Sequence, residues 1–593
     1  FIYSPEEDTM SKSINNSIEL TQVVELNTLK VLELISNSTS EQLVQMIELH
    51  YRANHKGSLP NMAETVLTID SIKSNYGDYS KLVEFIIKQV VISTVRVLPL
   101  TVLISQVAET MLGRKATNRF RIAAILISLV ELAGVFSVYT DKTRDGYNER
   151  IISLKTIISS VGKEELLLKS WKLPTVLPSK ATIKYSGHTK KIKADNDHFS
   201  PIIGKLNNTG YTLDARVWTM FKYKLAAYRF VDTSTQNSMI AQGDNLIGTT
   251  FYFNHRMGID NGRIYPEGDL FTLHGGALNY AFKFVNKEIC TPRGLKVLRN
   301  RVAELEADLD TLSFKEQVEY YSLSLDLIDA EHGKPIGTIL HIDAKLSGLQ
   351  HQCIATRNKS EALYCGLLSE LKDGYGHLKS KLSNADSLTR QMVKDAYNPY
   401  QYGAGSKATI APVVEAGGRL DFTEWTVAYK SAFPNAFRLR SFLVSLAKDY
   451  KADTYTFTTP SGFNAVVTAL GQVTDSITTV YGKLEYSRNE IDKDFMGVKL
   501  VAAFSHMQDA SSVHHVVLGS TFDMHIVHDS FGSHPNHVDA VEELYIDSLR
   551  KHLSMPVLRD FVANIVGMEL ADANVSRLID NTLEVRDIVA GLY

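Results

Sequence analysis

The segment from His528 to Gly532, His-Asp-Ser-Phe-Gly, limits the possible folds of this chain more than any other. It follows the apolar run Met524–Val527, and the turn-forming residues of Gly532–Pro535 come directly after it. An apolar run that ends at a polar tip and is followed by turn residues is typical of a strand that returns as a hairpin. The pattern therefore predicts a strand over 524–527 and places Asp529 at the hairpin tip, where a carboxylate can hold a metal ion.

A second aspartate ends another predicted strand. Turn residues between His332 and Gly337 precede the apolar run Ile339–Ile342, which ends at Asp343. If the two strands are neighbours in one sheet, Asp343 and Asp529 can bind a pair of divalent ions about 4 Å apart. Such a pair of ions is typical of enzymes that catalyse nucleotidyl transfer. The alternative is that each aspartate is an ordinary residue at a strand end or turn.

A basic helix is predicted over residues 386–397. Arg390 and Lys394 are four positions apart and therefore share one helix face. Tyr402 lies about two turns further along if the helix continues past Pro399, which is expected to kink or end it. Such a face suits a nucleoside triphosphate, because the cations hold phosphates and the ring stacks near the base or sugar. The alternative is a solvated helix that ends in a Tyr-Gly cap.

Bulk properties indicate an ordinary globular protein of several domains. Of the 593 residues, 44% are hydrophobic and 22% charged, and the net charge of −3 argues neither for nor against a nucleic-acid partner. The three cysteines include no CxxC pair, which argues against a disulfide framework or a cysteine zinc site and favours a reducing, cytoplasmic compartment. The apolar stretch 122–138 contains Glu131, so we expect a buried helix and no membrane partner.

The amino-acid composition of the chain changes near Pro174 and Pro178. Residues 10–172 show helical spacing and predict a helical N-terminal domain, residues 173–200 predict a basic linker, and residues 201–593 are mixed α/β. Met10 has the form of a natural start, so residues 1–9 are left out of the fold prediction. Two basic groups are either solvated or in contact with nucleic-acid phosphates. They are Arg114, Lys115, Arg119 and Arg121, and the linker's Lys180, Lys184, Lys190, Lys191 and Lys193, with Gly187 among them.

Further elements are predicted in the last part of the chain. Residues 360–382 and 538–553 are expected to be helical, and 513–518 to form a strand before the turn at Gly519. Seven histidines crowd residues 506–537, but neither a cysteine nor an HExxH helix accompanies them, which disfavours zinc. A hydrolase that uses Ser530 is disfavoured because no GxSxG surrounds it.

Together these segments resemble the catalytic elements of the single-subunit DNA-dependent RNA polymerases of phages and mitochondria. The three main elements are Asp343-x4-Gly348-Leu349-Gln350-His351, Arg390-x3-Lys394-x7-Tyr402-Gly403 and His528-Asp529-Ser530-Phe531-Gly532. Smaller matches follow the same order, at 261–265, 373–376, 459–463 and 504–509. The chain departs from the family at Asn261 and Asn464, which stand where the family has arginine and proline.

The resemblance implies an α/β, helix-rich right-hand polymerase with palm, fingers and small thumb, plus the helical N-terminal domain. The implied reaction is template-directed RNA synthesis from ribonucleoside triphosphates on a DNA template, with two Mg²⁺ ions as cofactors and RNA as product. The family's promoter-reading hairpin would fall at 466–492, where this chain is short. An accessory protein for promoter recognition or opening is therefore an expected partner, in the host cytoplasm if a bacteriophage encodes the chain.

The resemblance also implies roles for particular residues. Asp343 and Asp529, with the carbonyl of Ala344, would bind the metals, and Lys394 would contact the triphosphate and protonate the departing pyrophosphate. The remaining implied contacts are Arg390 and Arg263 at phosphates, Tyr402, Gly403 and His506 near the sugar, and His528 at the transcript end.

Two alternatives stay open. A DNA polymerase of the related right-hand family shares the Arg-x3-Lys…Tyr-Gly helix, but its first element usually reads Asp-Tyr-Ser-x-Ile-Glu and its third His-Asp-Glu. A non-catalytic DNA-binding relative would not need the intact Asp343, Lys394 and Asp529.

Overall fold

The computed structural model describes most of the chain, as two compact units. The described residues are 22–54, 62–74, 76–92, 99–110, 116–142, 148–154, 174–180, 183, 185–186, 196–227, 233–268, 271–274, 276–479 and 482–592. The first unit draws on positions 1–171, 229–241 and 472–489, and the second on positions 172–228, 242–471 and 490–593. Residues 1–9, Arg114, Lys115, Lys184, Gly187, Lys190, Lys191 and Lys193, for which predictions were made, lie outside the described residues.

The first unit is mainly helical. Its elements are α1 (22–37), α2 (Ser40–Asn54), α3 (Met62–Ser74), α4 (Tyr76–Ile92), α5 (Leu100–Thr110), α6 (Ala116–Leu132), β1 (Phe136–Lys142) and β2 (Asn148–Leu154). The predicted apolar helix is confirmed as α6, which buries Leu126, Ile127 and Val130 completely, but it ends at Leu132. Phe136 instead begins β1, which pairs antiparallel with β2.

The second unit begins with short strands and a helical hairpin. The elements of this part of the chain are β3 (Tyr185–Ser186), α7 (Ser200–Asn208), β4 (Tyr211–Leu213), α8 (Ala215–Ala227), α9 (Thr233–Leu246), β5 (His255–Gly258), β6 (Ile264–Pro266), β7 (Phe282–Phe284), α10 (Pro292–Ala307) and α11 (Phe314–Glu331). The first nine residues of α9 belong to the first unit. Helix α11 starts at a capping box, in which Ser313 and Glu316 satisfy each other's backbone N–H groups.

The part of the chain from residue 340 onward carries the three main motifs of the sequence. The elements from residue 340 onward are β8 (Leu340–Asp343), α12 (Ser347–Thr356), α13 (Lys359–Ala362), α14 (Gly374–Lys379), α15 (Arg390–Gln401), α16 (Ser406–Glu415), α17 (Phe422–Ala432), α18 (Pro434–Asp449), β9 (Thr454–Thr458), β10 (Asn464–Thr468), β11 (Leu470–Thr479), β12 (Gly482–Ile491), α19 (Met496–Gly519), β13 (His525–Val527), β14 (Ser530–Ser533), α20 (Val538–Ser554), α21 (Val557–Val566) and α22 (Met568–Val575). Most of β11 and β12 belongs to the first unit, and the other elements belong to the second. The protein is thus helix-rich with several small sheets, which is compatible with the predicted α/β class.

A three-stranded antiparallel sheet positions the two aspartates, in the order β13–β14–β8. In its register Val527 pairs with Ser530 across the hairpin, and Ser530 pairs with Asp343 on β8. Helix α12 follows β8 after three residues and is buried along its whole length, so it anchors the carboxyl end of β8 in the core. The predicted strands that end at Asp343 and precede Asp529 are therefore confirmed.

Two secondary-structure predictions were wrong. Residues 513–518 are not a strand but the last turns of α19, a 24-residue helix. Because α19 is buried on nearly all sides, its apolar residues show no helical period and read as a strand. Residues 360–382 are not one helix. They contain α13, a turn region and α14, which Asp373 begins by accepting a hydrogen bond from the N–H of Tyr375.

Candidate active site

A cavity of about 770 Å³ in the second unit brings the motif residues together. Residues predicted from separate segments line it: Arg263, Asp343, Ala344, Arg390, Lys394, Tyr402, His528 and Asp529. His506 and Gly403 lie behind this wall. The His506 ring packs 4.7 Å from the ring of Tyr402, and Gly403 packs against α19. Lys345, Tyr375 and Lys315 also line the cavity. Tyr375 belongs to the match at 373–376, but none of the three had been assigned a role in the site.

The two aspartates reach the cavity from one edge of the sheet. The turn between β13 and β14 has only two residues, His528 and Asp529, and His528 takes a left-handed conformation with φ of 56°. The N–H of Ala344 donates to the carbonyl of Asp529 at 3.1 Å, which holds the turn against the end of β8. Left-handed backbone is costly for a residue with a side chain, and such strain clusters at functional sites.

Asp529 is a largely buried carboxylate, and the hydrogen bond of Ser347 and the charge of Arg263 offset the effect of burial on its pKa only in part. Burial of its carboxyl group, and then the nearby charge of Asp509, raise its pKa to about 6. Asp343 is exposed to the cavity and supplies a second set of oxygen atoms. Hard divalent cations such as Mg²⁺ prefer oxygen ligands and are often held by one or two carboxylates plus substrate phosphates. The donor set at this edge therefore fits Mg²⁺. Among the described residues, no three or more His, Cys, Asp and Glu side chains form a group able to hold a metal ion.

The raised pKa of Asp529 predicts how its stability contribution depends on pH. An unfolded aspartate ionises near pH 3.9, so between about pH 4 and pH 6 the folded wild type binds the extra proton and loses stability as the pH rises. Asp529→Asn removes this loss. The test is urea unfolding without divalent ions. The midpoint of Asp529→Asn minus that of the wild type should be larger at pH 8 than at pH 5. An equal difference at the two pH values would show that burial does not perturb this carboxyl group.

Helix α15 presents its basic face to the cavity because of how it begins and ends. Thr389 caps its first turn by accepting from the N–H of Met392 at 3.1 Å. Of the two expected effects of Pro399, ending the helix is excluded, because the helix continues to Gln401. The N–H of Gly403 then bonds the carbonyl of Tyr400, and that of Ala404 the carbonyl of Pro399. This is a Schellman ending.

The backbone at position 403 explains why a glycine follows Tyr402. Its φ of 92° is in the left-handed region, and a Cβ atom there would lie 3.2 Å from the Cβ of Val501 on α19. Only glycine satisfies both the turn and the close approach. Tyr402 is consequently fixed as the C-cap residue of the helix, against the cavity. Burial raises the pKa of Tyr402 well above its usual value, so its hydroxyl stays protonated.

Arg390 is held in place by a neighbouring motif. Its Nε and Nη2 atoms donate to the carboxylate of Asp373 at 3.0 and 3.1 Å, and its guanidinium lies 5.0 Å from the ring centre of Tyr375. Asp373 and Tyr375 belong to the segment that resembles the family's D-x-Y-G. Lys394, one turn later, lines the same wall. The predicted shared face of Arg390 and Lys394 is confirmed.

Arg263, Asp509 and His351 form a buried network behind the cavity. Arg263 Nη2 donates to one oxygen of Asp509 at 2.6 Å, and His351 Nε2 lies 2.8 Å from the other oxygen. Burial opposes ionisation of Asp509, but His351 and Arg263 outweigh it and hold the pKa of Asp509 well below its usual value. Three sequence segments meet in this network. Sequence reasoning missed the roles of Asp509 and His351, because no spacing rule pairs residues so far apart in the chain.

The seven histidines between 506 and 537 serve separate neighbourhoods. His514 contacts Ser461 and the carbonyl of Gly262, whereas His537 lies 2.7 Å from the carboxylate of Glu288. His528 faces the cavity, where burial and then the charge of Arg263 lower its pKa to about 4. It is thus neutral at physiological pH.

No protein-family model and no curated protein matches this chain. Within the described part of the chain, none of the helices combines the length and the apolar character needed to cross a membrane.

Proposed function

We propose that this chain is a single-subunit, DNA-directed RNA polymerase with a right-hand fold. The observation that carries the proposal is that Asp343, at the end of β8, and Asp529, in the turn before its neighbour β14, share one cavity with Arg390 and Lys394 on α15 and with Tyr402 at the end of that helix. In this assignment the sheet β13–β14–β8 with α12 and α19 is the palm, and α15 to α18 belong to the fingers. The small thumb stays a prediction.

The palm carboxylates would hold the cofactor. Asp343 and Asp529, with the carbonyl of Ala344, would bind two Mg²⁺ ions, which supply the charge that activates a 3′-hydroxyl and stabilises a departing pyrophosphate. The chain's own part is to fix the carboxylates rigidly: β8 is anchored by the buried α12, and Asp529 sits in a two-residue turn. Positioning and preorganised charge are the main sources of catalysis in such a site.

The face of α15 would receive the nucleoside triphosphate. Arg390 is oriented by Asp373, so its guanidinium is preorganised but its charge is partly compensated. Lys394 would contact the phosphate that leaves and would deliver a proton to it. Arg263 was expected to contact a phosphate, and its pairing with Asp509 means that it would do so as an oriented donor within an ion pair. His528, neutral and at the hairpin tip, would support the transcript end.

Lys394 and Arg390 should differ in kinetic effect. Lys394→Ala should lower the rate of nucleotide addition by about 10²-fold, the usual contribution of a general acid, with a smaller change in nucleotide affinity. Arg390→Ala should mainly weaken nucleotide affinity, by about tenfold, because a charge-assisted hydrogen bond is lost. Single-nucleotide addition kinetics measure both quantities. Lys407→Ala, on an exposed position of α16, is the control. Variants of Arg390 and Lys394 that match this control in rate and affinity would refute the assignment.

Tyr402 would close the sugar pocket, with its hydroxyl near the 2′-position and His506 behind its ring. A site that hydrogen-bonds a substrate hydroxyl rejects the analogue that lacks it, because its own polar groups are then left unpaired. Tyr402→Phe keeps the ring and removes the partner. Primer extension with competing ribo- and deoxynucleotides should show that wild type prefers ribonucleotides and that Tyr402→Phe loses much of this preference.

The same competition decides between the candidate functions. A wild type that prefers deoxynucleotides would favour the related right-hand DNA polymerases over an RNA polymerase. A non-catalytic DNA-binding relative would add neither nucleotide and would not bind paired Mn²⁺ ions at Asp343 and Asp529. The proposed partners are a DNA template, ribonucleoside triphosphates, the RNA product and an accessory protein for promoter recognition or opening.

A further inference from the structure

The carboxyl end of α15 is held from outside the cavity by one arginine on α18. Arg440 Nε donates to the carbonyl of Tyr400 at 3.0 Å, and its Nη2 donates to the carbonyl of Ala404 at 3.2 Å. The guanidinium also lies 4.2 Å from the ring centre of Tyr400. The two carbonyls bracket Tyr402 and Gly403, so a single planar group spans the segment that carries the proposed sugar contact.

This end of α15 needs such support. Pro399 lies inside the helix and has no N–H, so the hydrogen bond that would run from position 399 to the carbonyl of Asp395 is missing. The carbonyls at a helix end carry a partial negative charge. The N–H of Gly403 already bonds the carbonyl of Tyr400, and Arg440 adds a charged donor to it. A cation that donates to two acceptors in this turn stabilises it and fixes its direction.

The support is tied to the core on its other side. Tyr400 is 1% exposed, and its ring packs 4.9 Å from that of Tyr429 and 6.2 Å from that of Trp425. The hydroxyl of Tyr429 donates to the side chain of Gln401, next to Tyr402. Arg440 thus holds the last turn of α15 between the cluster of Tyr400, Tyr429 and Trp425 and helix α18. Arg440 is not among the residues that line the cavity.

We propose that Arg440 is a positioning residue for sugar discrimination: by bonding the carbonyls of Tyr400 and Ala404 it holds Tyr402 at the distance where a ribose 2′-hydroxyl is recognised. This inference rests on the proposed function and deepens it. A hydroxyl contact depends steeply on placement, and a displacement of about 1 Å can cost about 10²-fold in rate. Deoxynucleotides make no such contact, so their addition should tolerate the loosened turn.

The test compares Arg440→Ala, Arg440→Lys and the control Arg438→Ala in ribo- and deoxynucleotide addition. Arg438 is exposed two residues earlier on α18 and bonds Asn435. Arg440→Ala should lower kcat/KM for ribonucleotides by about tenfold or more, mostly through KM, and leave deoxynucleotide addition nearly unchanged. Arg440→Lys should recover part of the preference, because it restores the charge but not the two-pronged geometry. Arg438→Ala should match wild type.

A double mutant separates positioning from general stability. If Arg440 acts through the Tyr402 hydroxyl, Arg440→Ala should have little further effect on sugar preference in a Tyr402→Phe background. An equal loss for both sugars, an unchanged preference in Arg440→Ala, or full additivity with Tyr402→Phe would overturn the inference. If Arg440→Ala does not fold, the same comparisons with Arg440→Gln decide. A wild type that polymerises and prefers ribonucleotides keeps the proposed function standing in each of these cases.

Discussion

Asp343→Asn and Asp529→Asn should each reduce RNA synthesis by about 10³-fold or more while the protein stays folded. Each change removes an anionic oxygen from the pair at the end of β8 and at the tip of the β13–β14 hairpin. Removing one preorganised electrostatic contact typically costs about 10²–10³-fold, and a metal ligand is expected to lie at or beyond the upper end. Asparagine keeps the volume and much of the hydrogen bonding, so the effect reports charge. Single-turnover nucleotide addition at saturating nucleotide measures it.

Asp547→Asn is the matched control for this loss. Asp547 is an exposed carboxylate on α20, outside the cavity, and its change should leave the rate within about twofold of wild type because isolated surface charges contribute little. If either palm variant kept more than about a tenth of the wild-type rate, where one such contact is normally worth 10²-fold, the assignment of that aspartate would be wrong.

Asp509→Asn should cause the largest loss of stability among single changes near the site. Asp509 is 3% exposed and is the counter-ion of the largely buried Arg263 and the neighbour of the fully buried His351. Removing one partner from a buried ion pair leaves the other charge unpaired and typically costs about 3–5 kcal/mol. The urea midpoint at pH 7 should fall accordingly. Activity should fall as well, since Arg263 lines the cavity.

Asp539→Asn provides the comparison, because it breaks an arginine pair with similar distances at the surface. Asp539 accepts from Arg293 at 2.8 Å, but both side chains are about half exposed. Solvent screens such a pair, so its loss should shift the urea midpoint far less than the loss of the buried pair does. Equal shifts for Asp509→Asn and Asp539→Asn would mean that the Arg263–Asp509–His351 network is solvated rather than buried.

The elements that place the aspartates could be predicted from sequence, because each depends on a local pattern. The apolar runs before Asp343 and Asp529 end at turn residues, and helix 538–553 has a clear period, which the structure confirms as α20. A glycine at the end of α15 could likewise be predicted, because helices commonly end at a glycine in the left-handed region. The continuation of the helix past Pro399 could not be predicted. The turn after Pro399 is held by Arg440, a residue on another helix that no local pattern connects to it.

The failures of prediction share a physical cause. Residues 513–518 form part of a helix surrounded by core on nearly all sides, so apolar side chains occupy every face and the periodic pattern that separates helix from strand is lost. The network of Arg263, Asp509 and His351 depends on tertiary contact between three distant segments. Sequence placed Arg263 at a phosphate, but it could not show that the guanidinium already has a carboxylate partner.

The most direct test of RNA synthesis is whether the template dictates the ribonucleotide added. Four primer–templates that differ only in the DNA base opposite the next position would be incubated with the wild type, Mg²⁺ and all four ribonucleoside triphosphates. We expect the wild type to add the complementary ribonucleotide on each template and Asp529→Asn to add none at a comparable rate. Addition of the same nucleotide on all four templates, or no addition by the wild type, would contradict a template-directed RNA polymerase.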